Sequence, residues 1–494
     1  MRSKLLRTPL SPFLLPLFFV LHGFVENAAY MSLRNCFGLL LVYLLIAGVL
    51  YGLLYLFYRS PVKAALALAV LQAVSFFFGA VQDLLALRLP FLNKYSILLP
   101  LFAILLAATL VWLKKTSRKL VSVTLFLNIL LLIYLLIDGT KAFLLATTQT
   151  RERLAVATPF TLKTPPCDTC SYPDVYLLLM DEYASTASLK KYYGYDNSRL
   201  DSFLRDKGFH IQNKSHSNYH STSFSMASIL NMSYLTGLGA DNVATINDYA
   251  ACGNLVRNSS VIRQLVSQGY DIVNYSIFDL EGEPSDVNLH LLPVKANLIS
   301  GQTLWARLRR DLGAKIYTMP VPVIKQQAYQ VRDDNDRFIE GVEKQSRIHL
   351  KRPRFIYTHL EMPHRPYYYN KEGKLKEPKE LETGAQPYLD YLPYTNGVIK
   401  RMVTAIQQNT NNSAVIILMG DHGVREAAPG DPGNIHDFQN LNAIFFPDRN
   451  YDLLYDSISG VNQFRVVLSK LFRQNIPLLK DSTVFLKDQH PADR

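Results

Sequence analysis

Five long apolar runs open the chain, near residues 10–30, 36–58, 64–87, 95–113 and 119–145, with short polar segments between them. About 20 helical residues cross a hydrocarbon core of roughly 30 Å, so each run is long enough for a membrane span. The connecting segments differ in charge. Arg2, Lys4, Arg7, Arg59, Lys63, Lys114, Lys115, Arg118 and Lys119 fall on one side, and only Arg34, Arg88 and Lys94 on the other. Basic residues are retained in the cytoplasm. This bias predicts a multi-pass protein of the cytoplasmic (inner) membrane, with its N-terminus inside and everything after the fifth run extracytoplasmic. Reading residues 1–30 as a cleaved signal peptide ending near Ala28 and Ala29 leaves the later segments on the same sides. Glu26, Asp83 and Asp138 sit near the ends of runs, where a carboxylate reaches interfacial water. So few intramembrane charges argue against a transporter.

The pattern changes after a Pro/Thr-rich linker, residues 146–173. Short apolar runs alternate with amphipathic ones, as in an α/β sheet. Strands are expected at Val175–Met180, Tyr270–Tyr275, Phe355–His359, Ala414–Met419 and Ala443–Phe446, and helices near 187–207, 223–231, 259–268, 327–348 and 390–408. Residues 365–388, opening on Tyr367, Tyr368 and Tyr369, read as a long mobile loop. The expected domains are 1–145 (membrane), 146–173 (linker) and 174–494 (extracytoplasmic, catalytic).

Composition sharpens this division. The 494 residues are 49% hydrophobic and 19% charged, with a net charge of +12. Residues 1–145 hold 13 Lys and Arg against 3 Asp and Glu, so +10 of the +12 belongs to the apolar part. There it marks membrane orientation, and nucleic acid is excluded as a partner. Cys167 and Cys170 lie in the linker, in a compartment that sustains disulfides, and a local disulfide is the first reading.

Ligands of open α/β sheets gather beyond the carboxyl ends of strands. Three expected strands end there in metal-type side chains: Val175–Met180 in Asp181-Glu182, Phe355–Thr358 in His359 and then His364, and Ala414–Met419 in Gly420-Asp421-His422-Gly423. A carboxylate beside an imidazole, followed by a permissive glycine, turns both side chains onto one cation. Ser221-Thr222-Ser223 precedes a helix. Such hydroxyls cap helices, but a hydroxyl there also meets the dipole and free N–H groups that hold an anion, and a neighbouring cation makes it a nucleophile.

These residues resemble a known family. Pro173-Asp174-Val175-Tyr176 through Asp181, Tyr193-Gly194-Tyr195-Asp196-Asn197, Gly208-Phe209, Asn218-Tyr219 with Thr222, and Ala227-Ser228 before Leu230-Asn231 are similar to the sulfatase-like branch of the alkaline phosphatase superfamily. His359-Leu360-Glu361-Met362-Pro363-His364-Arg365-Pro366, Tyr391 with Asn396, and Gly420-Asp421-His422-Gly423 continue the match in order, over about residues 173–450. Apolar spans preceding such a domain resemble lipoteichoic acid synthases and lipid A phosphoethanolamine transferases. The resemblance implies a five-helix transmembrane bundle followed by an alkaline-phosphatase-like, sulfatase-like α/β sandwich. It implies Thr222 as nucleophile and Asp181, Asp421 and His422 as ligands of Mn²⁺, Mg²⁺ or Zn²⁺, with Asp181 preferred to Glu182. His359, His364 and His436 match positions that face substrate or a second metal.

One departure bears on the chemistry. Sulfatases mature the Cys or Ser of a C/S-x-P/A-x-R motif to formylglycine, whereas Thr222-Ser223-Phe224-Ser225-Met226 has neither the small residue nor the Arg. Phosphoryl chemistry on a threonine is the better reading. The expected function is transfer of a phosphoglycerol- or phosphoethanolamine-type head group from a phospholipid donor, through phospho-threonine, to an envelope glycan or lipid acceptor. The alternatives are a phosphoester or sulfuric ester hydrolase with the same site, and a degenerate, non-catalytic domain.

Overall fold

The computed structural model describes residues 8–27, 33–147, 154–157, 172–238, 240–287, 297–316, 328–425 and 435–488. Cys167 and Cys170, and with them the expected disulfide, lie outside these residues. The chain divides into two compact units: Met1–Arg151 with Leu289–Ile316, and Glu152–Asn288 with Tyr317–Arg494.

The first unit contains the helices Ser11–Glu26, Leu33–Tyr58, Pro61–Phe76, Phe78–Arg88, Tyr95–Lys115 and Val121–Thr147. Cys36–Tyr58, Tyr95–Lys115 and Val121–Leu144 are long and apolar enough to cross a membrane. Pro61–Phe76 and Phe78–Ala86, bent by 48° at their junction, make a fourth span if taken together. Ser11–Glu26, at 16 residues, is shorter than a bilayer-crossing helix. Among the described residues the spans therefore number three or four, where the apolar runs predicted five. The core of this unit is aromatic, with Phe19 stacked on Phe76 at 4.6 Å and Tyr43 against the same ring.

Its two ends differ chemically. At one, Lys63 Nζ donates to the Thr116 carbonyl at 2.7 Å and Lys114 Nζ to the Phe57 carbonyl at 2.6 Å, where cations suit the exposed carbonyls and negative dipole ends of helices. At the other lie Gly79, Asp83 and Tyr95, all engaged by residues 302–311. The Gly79 N–H donates to the Gln302 carbonyl at 2.9 Å, Arg307 makes a bidentate pair with Asp83 at 2.9 and 2.7 Å, and the Tyr95 hydroxyl donates to Asp311. Asp138 does not reach interfacial water as expected. It is 2% exposed, with its carboxylate 3.1 Å from His22 Nδ1. A buried carboxylate in an apolar bundle needs such a partner, and only tertiary structure supplies it.

The second unit is built on a six-stranded sheet of β1 (Val175–Met180), β2 (His210–Ile211), β3 (Asp271–Tyr275), β4 (Arg354–Leu360), β5 (Val415–Gly420) and β6 (Asn442–Phe445). The order is β2-β6-β5-β1-β4-β3. Four strands, β3, β4, β1 and β5, run parallel, while β6 and β2 complete the edge in antiparallel fashion. The central strands β1, β4 and β5 are buried along their whole length, which is why they read as continuous apolar runs.

The patterning missed some elements. Ile246–Arg257 is a helix started by a Thr245/Asp248 capping box, but Asn247, Asp248 and Gly253 dilute its apolar period. Gly460–Phe472 keeps an apolar stripe of Val461, Phe464, Leu468 and Leu471, but it also buries Asn462, Gln463 and Arg465, so it is enclosed on almost every side. Residues 365–388 are not a loose loop. Tyr367 and Tyr368 are buried, Tyr369 stacks on Tyr394 at 3.7 Å, and the Tyr329 hydroxyl donates to the Lys376 carbonyl at 2.9 Å. The three tyrosines in what read as a mobile loop are apolar anchors with a polar tip.

Candidate active site

Strand pleating gathers the chemistry on one face. Side chains alternate across a sheet, and the register pairs Leu179 with both His359 and Met419. Tyr176, Leu178, Met180, Ile356, Ile416 and Leu418 fill the core on one face. The opposite parity carries Tyr357 and His359, and one step past the ends of β1 and β5 it carries Asp181 and Asp421. Asp181, His359 and Asp421 are buried, and one ligand atom of each lies within 4.8 Å of the others.

Each group is aimed by a partner. Asp421 Oδ1 accepts the backbone N–H groups of Glu182 and His422, both at 2.9 Å, leaving Oδ2 buried and without a hydrogen bond. His359 Nδ1 meets the Tyr357 hydroxyl at 3.0 Å. Its Nε2 is buried without a hydrogen bond, 3.6 Å from Asp181 Oδ2. His422 Nδ1 lies 2.7 Å from the Gly423 carbonyl. A carbonyl only accepts, so the neutral ring carries its proton on Nδ1 and its lone pair on Nε2. That Nε2 is 3.4 Å from Asp421 Oδ2 and 3.9 Å from Asp181 Oδ1.

Thr222 opens the helix Thr222–Asn231, with Ser221 as an N-cap whose side chain makes no capping bond. Its own hydroxyl points into the site, 3.3 Å from His422 Nε2 and 3.5 Å from Asp181 Oδ1. The helix is pinned there by Ser225, whose Oγ donates to the Asp421 carbonyl at 2.5 Å. The capping role weighed for these hydroxyls is thus not what Thr222 does. Gly423 is required for space rather than for an unusual turn, because a Cβ there would stand 2.0 Å from the His436 carbonyl oxygen.

The two adjacent acids point to different partners. Glu182 adopts a left-handed backbone (φ 61°), which non-glycine residues seldom occupy. Its Oε1 accepts from the Arg425 N–H at 2.8 Å, and its Oε2 is 3.8 Å from His364 Nε2. Asp181, Thr222, His359, Asp421 and His422 therefore form one group, with His364 joined to it through Glu182. His436 lies with its backbone carbonyl against Gly423, and its ring has other partners. Its Nε2 is 3.1 Å from Asp437 and its ring packs against Tyr192.

Sequence reasoning missed Tyr357 and Arg425. Tyr357 was discernible, lying two residues before His359 and hence on the same pleat face. Arg425 carries no local signal. Its guanidinium lies in the field of Glu182, Asp181 and Asp421.

Burial works against the charge on Asp181, yet His364, His359 and His422 hold its carboxyl below the usual range. Burial, and then Asp181, push Glu361 up. Burial alone would lower His364, but Asp181 and Glu182 raise it above the ordinary imidazole value. A raised pKa means that His364 keeps its proton to higher pH and loses it as pH rises. A step that uses this proton should therefore fail on the alkaline side, at a pH higher than an ordinary imidazole would set. The pH profile of kcat/KM tests this: the alkaline limb should vanish in His364→Gln, and an unchanged limb would assign it to another group.

Asp421 Oδ2 and His359 Nε2 are buried without a hydrogen bond, with Asp181 and His422 Nε2 beside them. Two carboxylates this close disfavour joint ionisation unless a cation stands between them, and this mixed O/N set fits a divalent metal.

A family model described as Sulfatase matches residues 173–442. No curated protein matches the sequence. Among solved structures, the C-terminal periplasmic domain of EcEptC from Escherichia coli, in complex with Zn, is 12% identical with a TM-score of 0.39, covering 65% of this chain and 91% of that one. The soluble domain of lipooligosaccharide phosphoethanolamine transferase A from Neisseria meningitidis is 10% identical with a TM-score of 0.36, covering 64% and 93%. A protein in the alkaline phosphatase superfamily from Vibrio parahaemolyticus is 13% identical with a TM-score of 0.36, covering 62% and 68%. With more than half of its length matched by that model, the chain belongs to the Sulfatase family, as a sulfatase-like enzyme acting on ester groups.

Proposed function

We propose that this protein is a membrane-bound, metal-dependent phosphotransferase. It moves a phosphoglycerol- or phosphoethanolamine-type head group from a phospholipid to an envelope glycan or lipid acceptor through phospho-Thr222. The supporting observation is the Thr222 hydroxyl at a helix N-terminus, 3.3 Å from His422 Nε2 and 3.5 Å from Asp181, with no formylglycine motif around it. Asp181, Asp421 and His422, with His359 beside them, would hold Mn²⁺, Mg²⁺ or Zn²⁺. Such a cation supplies positive charge against the oxygens of the reacting phosphate and favours the alkoxide form of the threonine.

The chain's own residues supply the rest. Thr222 Oγ1 attacks phosphorus in line, forming an Oγ–P bond as the bond to the diacylglycerol oxygen breaks. His364, holding a proton, delivers it to that leaving oxygen. Arg425 and the N–H groups at the start of the Thr222 helix neutralise the non-bridging oxygens. An acceptor hydroxyl then attacks phosphorus from the vacated side, passing its proton to the now neutral His364 as the Oγ–P bond breaks, which restores both the threonine alkoxide and the protonated imidazole. The protein works in the inner membrane, with its catalytic residues extracytoplasmic.

Head-group release by the purified full-length protein, from labelled phospholipid with and without envelope glycan, tests the reading. A transferase should turn over about tenfold faster with acceptor and place the label on it. Equal release to water in both cases would make it a hydrolase.

A further inference from the structure

An amphipathic helix in water turns its apolar stripe toward the protein. The helix Leu304–Ile316 does the opposite. Its docked side carries Arg307 and Asp311, four residues apart, with Thr303 just before its first turn. Thr303 and Arg307 are buried, Arg307 is 7% exposed and grips Asp83, and Asp311 takes the Tyr95 hydroxyl. A helix turns about 100° per residue, so Trp305, Leu308, Arg309 and Leu312, at i, i+3, i+4 and i+7, lie on the side away from the docking contacts. Trp305 is 52% exposed, and Leu308, Arg309 and Leu312 are half-buried.

The place of this helix identifies the medium it faces. It packs against Pro61–Phe76 and Phe78–Arg88, the bent pair among the apolar helices. The preceding turn, Asn297–Ser300, puts Ile299 against Gly23. Every anchoring residue (Gly23, Gly79, Asp83 and Tyr95) lies at the end of the bundle opposite the Lys63 and Lys114 contacts. An apolar stripe containing an exposed tryptophan, flanked by an arginine and fixed to the rim of spanning helices, suits the boundary between head groups and acyl chains.

We propose that Leu304–Ile316 is an interfacial helix bound to the extracytoplasmic leaflet, with Trp305, Leu308 and Leu312 entering the acyl boundary and Arg309 binding the phosphate of anionic phospholipids. The proposal rests on the apolar helices spanning a bilayer and is independent of the catalytic reading.

The sequence makes the test direct, because Trp112 and Trp305 are its two tryptophans. Full-length Trp112→Phe protein, reconstituted into phosphatidylcholine vesicles with or without phosphatidylglycerol, reports Trp305 alone. Trp305→Phe protein reports Trp112 and controls for folding. Trp305 emission should be quenched more by lipids brominated near the head group than by lipids brominated near the methyl end, and little by aqueous acrylamide. Brominated phosphatidylglycerol diluted into phosphatidylcholine should quench about twofold more than brominated phosphatidylcholine at the same fraction. Arg309→Glu should abolish that preference while depth-dependent quenching persists. Strong acrylamide quenching without lipid quenching would show a water-facing helix. Protection from both quenchers would show a protein interface, with a second copy or another polypeptide. Either outcome overturns the proposal, and equal quenching by the two lipids removes the anionic preference.

Discussion

Thr222→Ala should lower turnover by about 10³-fold or more, equivalent to roughly 4 kcal/mol of transition-state stabilisation. It should also abolish any covalent adduct. The small side chain leaves the fold intact, because the Thr222 hydroxyl serves His422 and Asp181 rather than capping its helix, and Ser225 still ties the helix to the Asp421 carbonyl. The measurement is intact mass of the detergent-purified full-length protein after incubation with phospholipid extract and Mn²⁺, without acceptor. Wild type should gain the mass of one head group on Thr222, and that mass names the donor. Thr222→Ser keeps the oxygen and should retain activity within about tenfold. An adduct that persists in Thr222→Ala would remove Thr222 as nucleophile.

The second large effect separates two duties of one side chain. Asp421 accepts two buried backbone N–H groups through Oδ1 and offers Oδ2 to the site. Asp421→Asn keeps an acceptor oxygen for those N–H groups but removes the charge. It should lose bound metal, read by elemental mass spectrometry, and about 10²- to 10³-fold in turnover, with little change in thermal unfolding. Asp421→Ala should lose the same activity and also leave two buried donors unpaired, at about 1–3 kcal/mol each, which lowers Tm. If Asp421→Asn keeps its metal and its turnover, the carboxylate organises the loop and nothing more.

How far the site was legible follows from where its information resides. Asp181, His359 and Asp421 could be aligned from sequence because period-2 alternation and parallel strand ends bring matching positions together. That His359 joins the two carboxylates, rather than only facing substrate, depends on the one-residue register between β1 and β4, which no periodicity reveals. The split between Asp181 and Glu182 depends on a single left-handed residue. Tertiary packing decides the rest. The polar face of Gly460–Phe472, with Asn462, Gln463 and Arg465, is buried rather than solvated, the tyrosines of 367–369 are held by partners up to about forty positions away, and Asp138 is paired by His22 across the bundle.

The segment Leu289–Ile316 belongs with the apolar helices although the sequence embeds it among sheet elements, so the chain passes between its two units three times, near residues 151, 288 and 316. Deleting the N-terminal helices to obtain a soluble fragment would not yield a self-contained piece. Such a fragment would retain Ile299 without Gly23, Arg307 without Asp83 and Asp311 without Tyr95. A recombinant form of the second unit alone therefore needs a second excision, of residues 289–316.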